Sequence, residues 1–219
     1  ERPGARAQAC SGLNDTRPLA LSPRPSVLIP RPLCMKICIL SDSHDHIALL
    51  NEAVARAKAS GAEVVLHCGD VVAPSTLHCL EKHGLPVHVI HGNNTGDMFS
   101  LAKLSHDPES VIHYHGQDAG IELAGRRIFI VHYPHYARAM ATTGEWDLVC
   151  CGHDHRAEID HILNVRNRET LFINPGTVGG VGAAPTYVLG DLQTMDFEIH
   201  DVPEGLCRRF IRALLALHG

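Results

Sequence analysis

Five segments place polar, ligand-type side chains directly after apolar runs. They are Ser41-Asp42-Ser43-His44, Gly69-Asp70, Gly92-Asn93-Asn94, His132, and Gly152-His153-Asp154-His155. An aspartate such as Asp70 at the end of a buried strand loses hydration, and a helix cap, a cationic partner or a metal ion must offset that loss. Taken singly, each residue has an ordinary explanation. A strand-end Asp is usually a cap or turn residue, and a buried His is usually a hydrogen-bonded core residue. The repeated placement reverses that reading, because Asp42/His44 and His153/His155 also share the i, i+2 spacing that suits a chelating turn. Asp42, His44, Asp70, Asn93, His132, His153 and His155 supply seven donors, enough for two metal ions with four protein ligands each if one carboxylate bridges. A hydroxide shared between two such ions would be a nucleophile at neutral pH.

Residues so far apart in sequence meet only if the elements before them deliver them to one place. Lys36–Leu40 reads as a strand, and Ile47, Leu50, Val54 and Ala57 then recur at helical spacing, with Asp45 as N-cap and Gly61 as stop. A strand over Val64–His67 precedes a helix opened by Pro74 and ended by Gly84, and a strand over Val87–Ile90 precedes a short helix near Asp97–Leu104. These βαβ units imply a parallel sheet, whose carboxyl-end loops converge on one crevice.

After Ser110 strands dominate: Val111–His115, Gly120–Leu123, Arg127–Val131 and Asp147–Cys151, with a helix around Tyr136–Thr142. Hairpin-like runs follow near Glu158–Val165, Thr170–Ile173, Thr186–Leu189 and Asp196–His200, which points to a second sheet packed on the first with helices outside. Trp146 reads as a core residue.

The chain of 219 residues is 45% apolar, enough for one sizeable core. Residues 1–34 hold six of the 13 prolines and no apolar periodicity, the composition of a flexible extension. Met35 opens what looks like a native start, so the preceding residues read as upstream translated sequence or an added leader. Those residues also hold five arginines against Glu1 and Asp15, so the formal charge of -5 for the whole chain becomes -8 for the remainder. That balance argues against binding a nucleic-acid backbone. Leu206, Phe210, Leu214 and Leu217 form an apolar stripe on a helix over 204–219, suited to packing on its own body or on a second subunit as a homo-oligomer. No apolar stretch is long enough for a membrane span. The eight cysteines show no CxxC pair, which favours a reducing cytoplasm.

The ordered set DxH, GD, GN, H and GHxH resembles the calcineurin-like metallophosphoesterases, specifically their small bacterial and archaeal phosphodiesterase branch. The resemblance covers about Met35–Pro203, including the Asn174–Thr177 turn (NPGT), similar to the NPGS of that branch. It implies an α/β four-layer αββα sandwich of two mixed sheets, helices on the outer faces, in a domain over 35–203. It further implies two divalent ions: Asp42, His44 and His155 on one, Asn93, His132 and His153 on the other, and Asp70 across both. Ligands without thiolate suit Mn, Fe, Ni, Co or Zn. The implied activity is hydrolysis of a small phosphoester, a diester before a monoester or nucleotide, with Asp70, Asn93 and Asn94 in the catalytic machinery. The alternative is a scaffold, because the same fold serves as a metal-poor interaction module in the retromer coat; all seven ligand positions are kept here.

Two departures bear on the chemistry. Asn94 stands where the family usually has His or Cys before an acidic residue, and an amide is no general acid; the nearest acid is Asp97. The segment similar to T-H-G-H reads Val131-His132-Tyr133-Pro134-His135, so His135 is either a displaced substrate contact beside Asn93 and Asn94 or a helix-start residue.

Overall fold

The computed structural model describes residues 34–203. The expected helix over 204–219 and all but Cys34 of the expected extension over 1–34 lie outside the described residues.

Alternation along each strand sends side chains to opposite faces, and here both faces of the central strands are apolar. In β1 (Lys36–Leu40), Ile37 and Ile39 join one buried cluster while Cys38 and Leu40 join another. The first cluster lies between two sheets, where Ile37, Ile39, Val64 and Leu66 meet Ile128, Ile130, Leu148 and Ile173. The second sits under α1 (Ile47–Ala59), α2 (Pro74–Glu81) and α3 (Met98–Ser105). A third, with Phe129, Val131, Val149 and Phe172, is closed by Ala137 and Ala141 of α4 (Pro134–Thr142). Three apolar interfaces separate four layers, so the architecture is the αββα sandwich.

The first sheet has the order β11-β10-β1-β2-β3-β4. β1, β2 (Ala62–His67), β3 (Val87–Val89) and β4 (Ile112–Tyr114) run parallel, while β10 (Thr186–Asp191) pairs antiparallel with β1 and β11 (Asp196–Asp201) antiparallel with β10. The second has the order β5-β6-β7-β9-β8. In it β6 (Arg126–Val131), β7 (Leu148–Cys150) and β9 (Glu169–Pro175) are parallel, and β5 (Asp118–Leu123) and β8 (Ala157–Leu163) are antiparallel edges.

Three expectations need correction. β4, β10 and β11 belong to the first sheet, not the second, since Val87 pairs with Ile112 and Lys36 with Asp191. Helix α1 is capped by His46, whose Nδ1 accepts the Leu49 N–H at 3.3 Å. Asp45 instead reaches across to α2, accepting the Ala73 N–H at 2.8 Å and the Thr76 hydroxyl at 2.5 Å. Helix α2 ends at Glu81, before Gly84, whose N–H closes the turn on the Glu81 carbonyl.

Candidate metal centre

The loops leaving β1, β2, β3, β6 and β7 bring their polar residues to one end of the sandwich, where the chain takes unusual backbone shapes. Asp42, His44, Asp70, His153 and His155 all have positive φ, between 42° and 77°. Left-handed backbone at non-glycine residues persists only where the surroundings hold it. The turn after β9 is one such support. Thr177 Oγ1 donates to the Asp42 carbonyl at 2.9 Å, Gly179 N–H to the same carbonyl at 3.1 Å, and Val178 N–H to the Ser41 carbonyl at 2.9 Å. This gives the Asn174–Thr177 motif a physical role, and Asn174 extends it by donating to the Gly152 carbonyl and to Asp154.

His67 is a further support that sequence reasoning passed over as a strand residue. Fully buried, it lies 3.1 Å from Ser43 Oγ through Nε2 and accepts the Gly69 N–H at Nδ1, tying the β1 loop to the β2 loop. Burial pulls its imidazole down to about 3, so it is neutral.

The donors themselves form two adjoining groups: Asp42, His44 and His155, and Asp42, Asp70 and His132. His155 Nε2 stands 3.2 Å from His44 Nε2 and 3.2 Å from Asp42 Oδ1. His132 Nε2 stands 3.5 Å from Asp70 Oδ1 and 3.1 Å from Asn93 Oδ1, which is also 2.8 Å from His153 Nδ1. Asp70 reaches both groups, because its Oδ2 lies 3.9 Å from His44 Nε2. Asp42 spans them too, with Oδ1 4.0 Å from His132 Nε2.

Divalent metal ions fit these residues on their own chemistry. Asp42 is buried, its Oδ2 accepts the His153 backbone N–H at 2.9 Å, and its Oδ1 has no hydrogen-bond partner. An orphaned buried carboxylate oxygen is costly unless a cation meets it. The Nδ1–H of His155 is spent on the Val181 carbonyl at 2.6 Å and that of His132 on the Cys68 carbonyl at 2.8 Å. With Nδ1 so engaged, each ring turns its Nε2 towards the carboxylates, the orientation metal-binding histidines take.

Electrostatics agree. Burial alone would raise the Asp70 carboxyl, but hydrogen bonds from His132 and from the Asn94 backbone and side chain outweigh it and hold Asp70 well below the usual carboxylate range. His132 is pushed the other way: burial would lower it, yet Asp70 and Asp42 raise it. The field that draws a proton onto His132 would draw a divalent cation in its place.

Asn94 Nδ2 donates to Asp70 Oδ2 at 2.6 Å and its backbone N–H to Asp70 Oδ1 at 2.8 Å, a two-point clamp that spacing alone did not reveal. His135 is exposed in the first turn of α4 with its ring against Tyr133. Asp97 caps α3: bonds from Ser100 Oγ and N–H hold its carboxyl below the usual range, so it is no proton donor. Tyr133 and His91, which sequence reasoning did not single out, join Asn93 and His132 around a cavity of about 340 Å³.

With this geometry in place, the relatives are informative. The family model of the calcineurin-like phosphoesterase superfamily domain matches residues 35–195. A phosphodiesterase of Methanocaldococcus jannaschii is 28% identical over 168 residues, covering 74% of this chain and 96% of its own. The solved structure of an archaeal phosphodiesterase superposes with a TM-score of 0.67 at 26% identity, covering 76% of this chain and 99% of that one. Vacuolar protein sorting 29 of Cryptosporidium parvum shares the fold, with a TM-score of 0.56 at 17% identity over 78% of this chain and 93% of its own. The chain belongs to the calcineurin-like phosphoesterase superfamily and is a metal-dependent phosphoesterase.

Proposed function

We propose that the protein is a phosphodiesterase working with two divalent cations. Asp42, His44 and His155 would hold one, Asn93, His132 and His153 the other, with Asp70 across both. The observation that carries this reading is the convergence of ligand atoms: His44 Nε2, His155 Nε2 and the unpartnered Asp42 Oδ1 on one side, His132 Nε2 and Asp70 Oδ1 on the other. Divalent cations held there would supply an acidified water for in-line attack on phosphorus and positive charge to offset the phosphoryl oxygens. Mixed nitrogen and oxygen donors without thiolate suit Mn, Fe, Ni, Co or Zn.

The chain's own residues orient that chemistry. Asn94 clamps both Asp70 oxygens, and the Cys68 carbonyl fixes the His132 ring. The Asn93 amide lies beside the cavity, within reach of a phosphoryl oxygen. With an amide at 94 and Asp97 engaged as a cap, neither residue protonates the departing alkoxide, which favours esters with good leaving groups.

A diester is preferred over a monoester because the cavity wall beside Asn93 and His132 contains no lysine or arginine, which suits a singly charged phosphate, and because the Methanocaldococcus jannaschii relative is a phosphodiesterase. Retention of all seven donor positions speaks against a scaffold role. Among the described residues Cys34, Cys38, Cys68, Cys79, Cys150 and Cys151 are unpaired thiols, consistent with a cytoplasmic location. No helix of the described residues is long and apolar enough to cross a membrane. The test is a panel of nitrophenyl diesters, monoesters and pyrophosphates on metal-stripped protein refilled with each ion. Preferential turnover of the diesters is expected; turnover confined to monoesters would refute the assignment.

A further inference from the structure

The cavity of about 340 Å³ beside Asn93 and His132 is completed by His91, Thr95, Gln117 and Tyr133. Two larger cavities, of about 510 Å³ beside α2 and α3 and about 450 Å³ beside Arg138 and Glu158, are lined by none of the candidate ligands.

The smaller cavity has a fixed wall. His91 N–H donates to the Gly116 carbonyl at 2.9 Å, which seats the loop after β3 against the turn carrying Gln117. His91 Nδ1 lies 2.6 Å from the Tyr114 hydroxyl, which fixes the ring and leaves Nε2 as its remaining polar atom. The Tyr133 ring meets His132 and His153 edge-on, with centroids 5.4 Å and 5.0 Å away.

The groups on offer are an imidazole, a hydroxyl, a primary amide and a phenol. No aspartate, glutamate, lysine or arginine lines the wall, so a second phosphate or a carboxylate would find no side-chain counter-charge there. No aliphatic side chain lines it either, so an alkyl chain would gain little from burial. A neutral group rich in hydroxyls satisfies both conditions, and a volume at the lower end of small-molecule pockets suits one the size of glycerol or a pentose.

We infer that this cavity is the subsite for one alcohol of the diester, and that the alcohol is a neutral polyol. The assignment rests on the phosphodiesterase reading above. His91 and Gln117 are the residues that select the polyol, and Tyr114 acts through His91 as a positioning residue.

The test compares methyl phosphate with glycerol 3-phosphate, which differ in the polyol alone. Binding to the metal-loaded full chain is measured by calorimetry, alongside turnover of bis(p-nitrophenyl) phosphate. Glycerol 3-phosphate should bind about tenfold more tightly than methyl phosphate, the effect of one or two net hydrogen bonds. The ratio should fall to about one in His91→Ala and in Gln117→Leu, recover in part in Gln117→Asn, and fall in part in Tyr114→Phe. A ratio near one in the unaltered protein, or an unchanged ratio in His91→Ala and Gln117→Leu, overturns the subsite while turnover of the nitrophenyl diester leaves the phosphodiesterase reading standing. No turnover of any diester with metal bound removes that reading and the subsite with it.

Discussion

The Nε2 atoms of His44 and His155 face each other 3.2 Å apart, and Asp42 Oδ1 lies 3.2 Å from the second of them. His155 Nδ1 is engaged with the Val181 carbonyl, which leaves its Nε2 turned towards His44 and Asp42. A cation shared by three electron-pair donors resolves the arrangement. His155→Ala should therefore lower metal affinity by more than the roughly 10- to 100-fold typical of residues that merely orient a ligand. Elemental analysis after gel filtration reads the outcome, and undiminished metal content in the variant would mean that the two rings meet for another reason.

Asp70 and Asn94 should separate in their effects. Asp70 faces both donor groups, so Asp70→Asn should harm catalysis more than Asn94→Ala, which removes only the side-chain half of the clamp. Asn94→Asp should be worse than Asn94→Ala, because it sets a second carboxylate against Asp70 Oδ2. Asn94→His offers a proton donor in place of the amide. General acid help is typically worth about 10²- to 10⁴-fold and matters most for basic leaving groups, so any gain should appear on alkyl esters and not on nitrophenyl esters. A leaving-group series with metal content checked for each variant decides this; near-normal rates in Asp70→Asn would refute the bridging role.

The sequence carried much of this layout. Alternation in Ile37–Leu40 and Ile128–Val131 assigns opposite faces, and the ligand motifs follow strands directly, so convergence at one end could be read before any coordinates. Sheet membership could not, because the pattern of Thr186–Asp191 is local and β10 finds its partner in β1, some 150 residues away. Hydrogen bonds across loops were equally illegible. Asp45 has the chemistry of a cap for its own helix, and only the approach of Ala73 and Thr76 redirects it. His67 and the Asn94 clamp act through contacts between loops, which leave no spacing signature.

Gly92 provides a test of space rather than charge. Its φ does not lie in the left-handed region, yet an added Cβ would overlap Asp70 Oδ1 and lie 2.7 Å from His132 Nε2. Gly92→Ala should fold, with a stability loss in the ordinary range of about 0.5–3 kcal/mol, but lose most metal binding and turnover. Thermal melting alongside metal analysis distinguishes this from unfolding, and full metal retention would show that the two ligands have room to move.

His67 predicts an acid-side loss of stability. Its folded value is depressed to about 3 from an ordinary 6.5, mainly by burial, so the unfolded chain binds the proton more readily. Its contribution is complete above about 6.5 and is lost progressively as pH falls towards 3. At pH 4.5 the loss reaches at most about 2–3 kcal/mol. Denaturant unfolding in the presence of chelator should show a smaller fall between pH 7 and pH 4.5 for His67→Gln than for the unaltered protein; parallel falls would exclude His67 as the source.

The central claim is that the donors gathered from five loops hold the cations on which phosphodiester hydrolysis depends. The most direct measurement is turnover of an activated phosphodiester by exhaustively chelated protein as metal is returned stepwise, with bound metal quantified at every point. Activity should be absent without metal and should rise to saturation as the second equivalent binds. Full turnover by protein shown by elemental analysis to contain no metal would contradict the account.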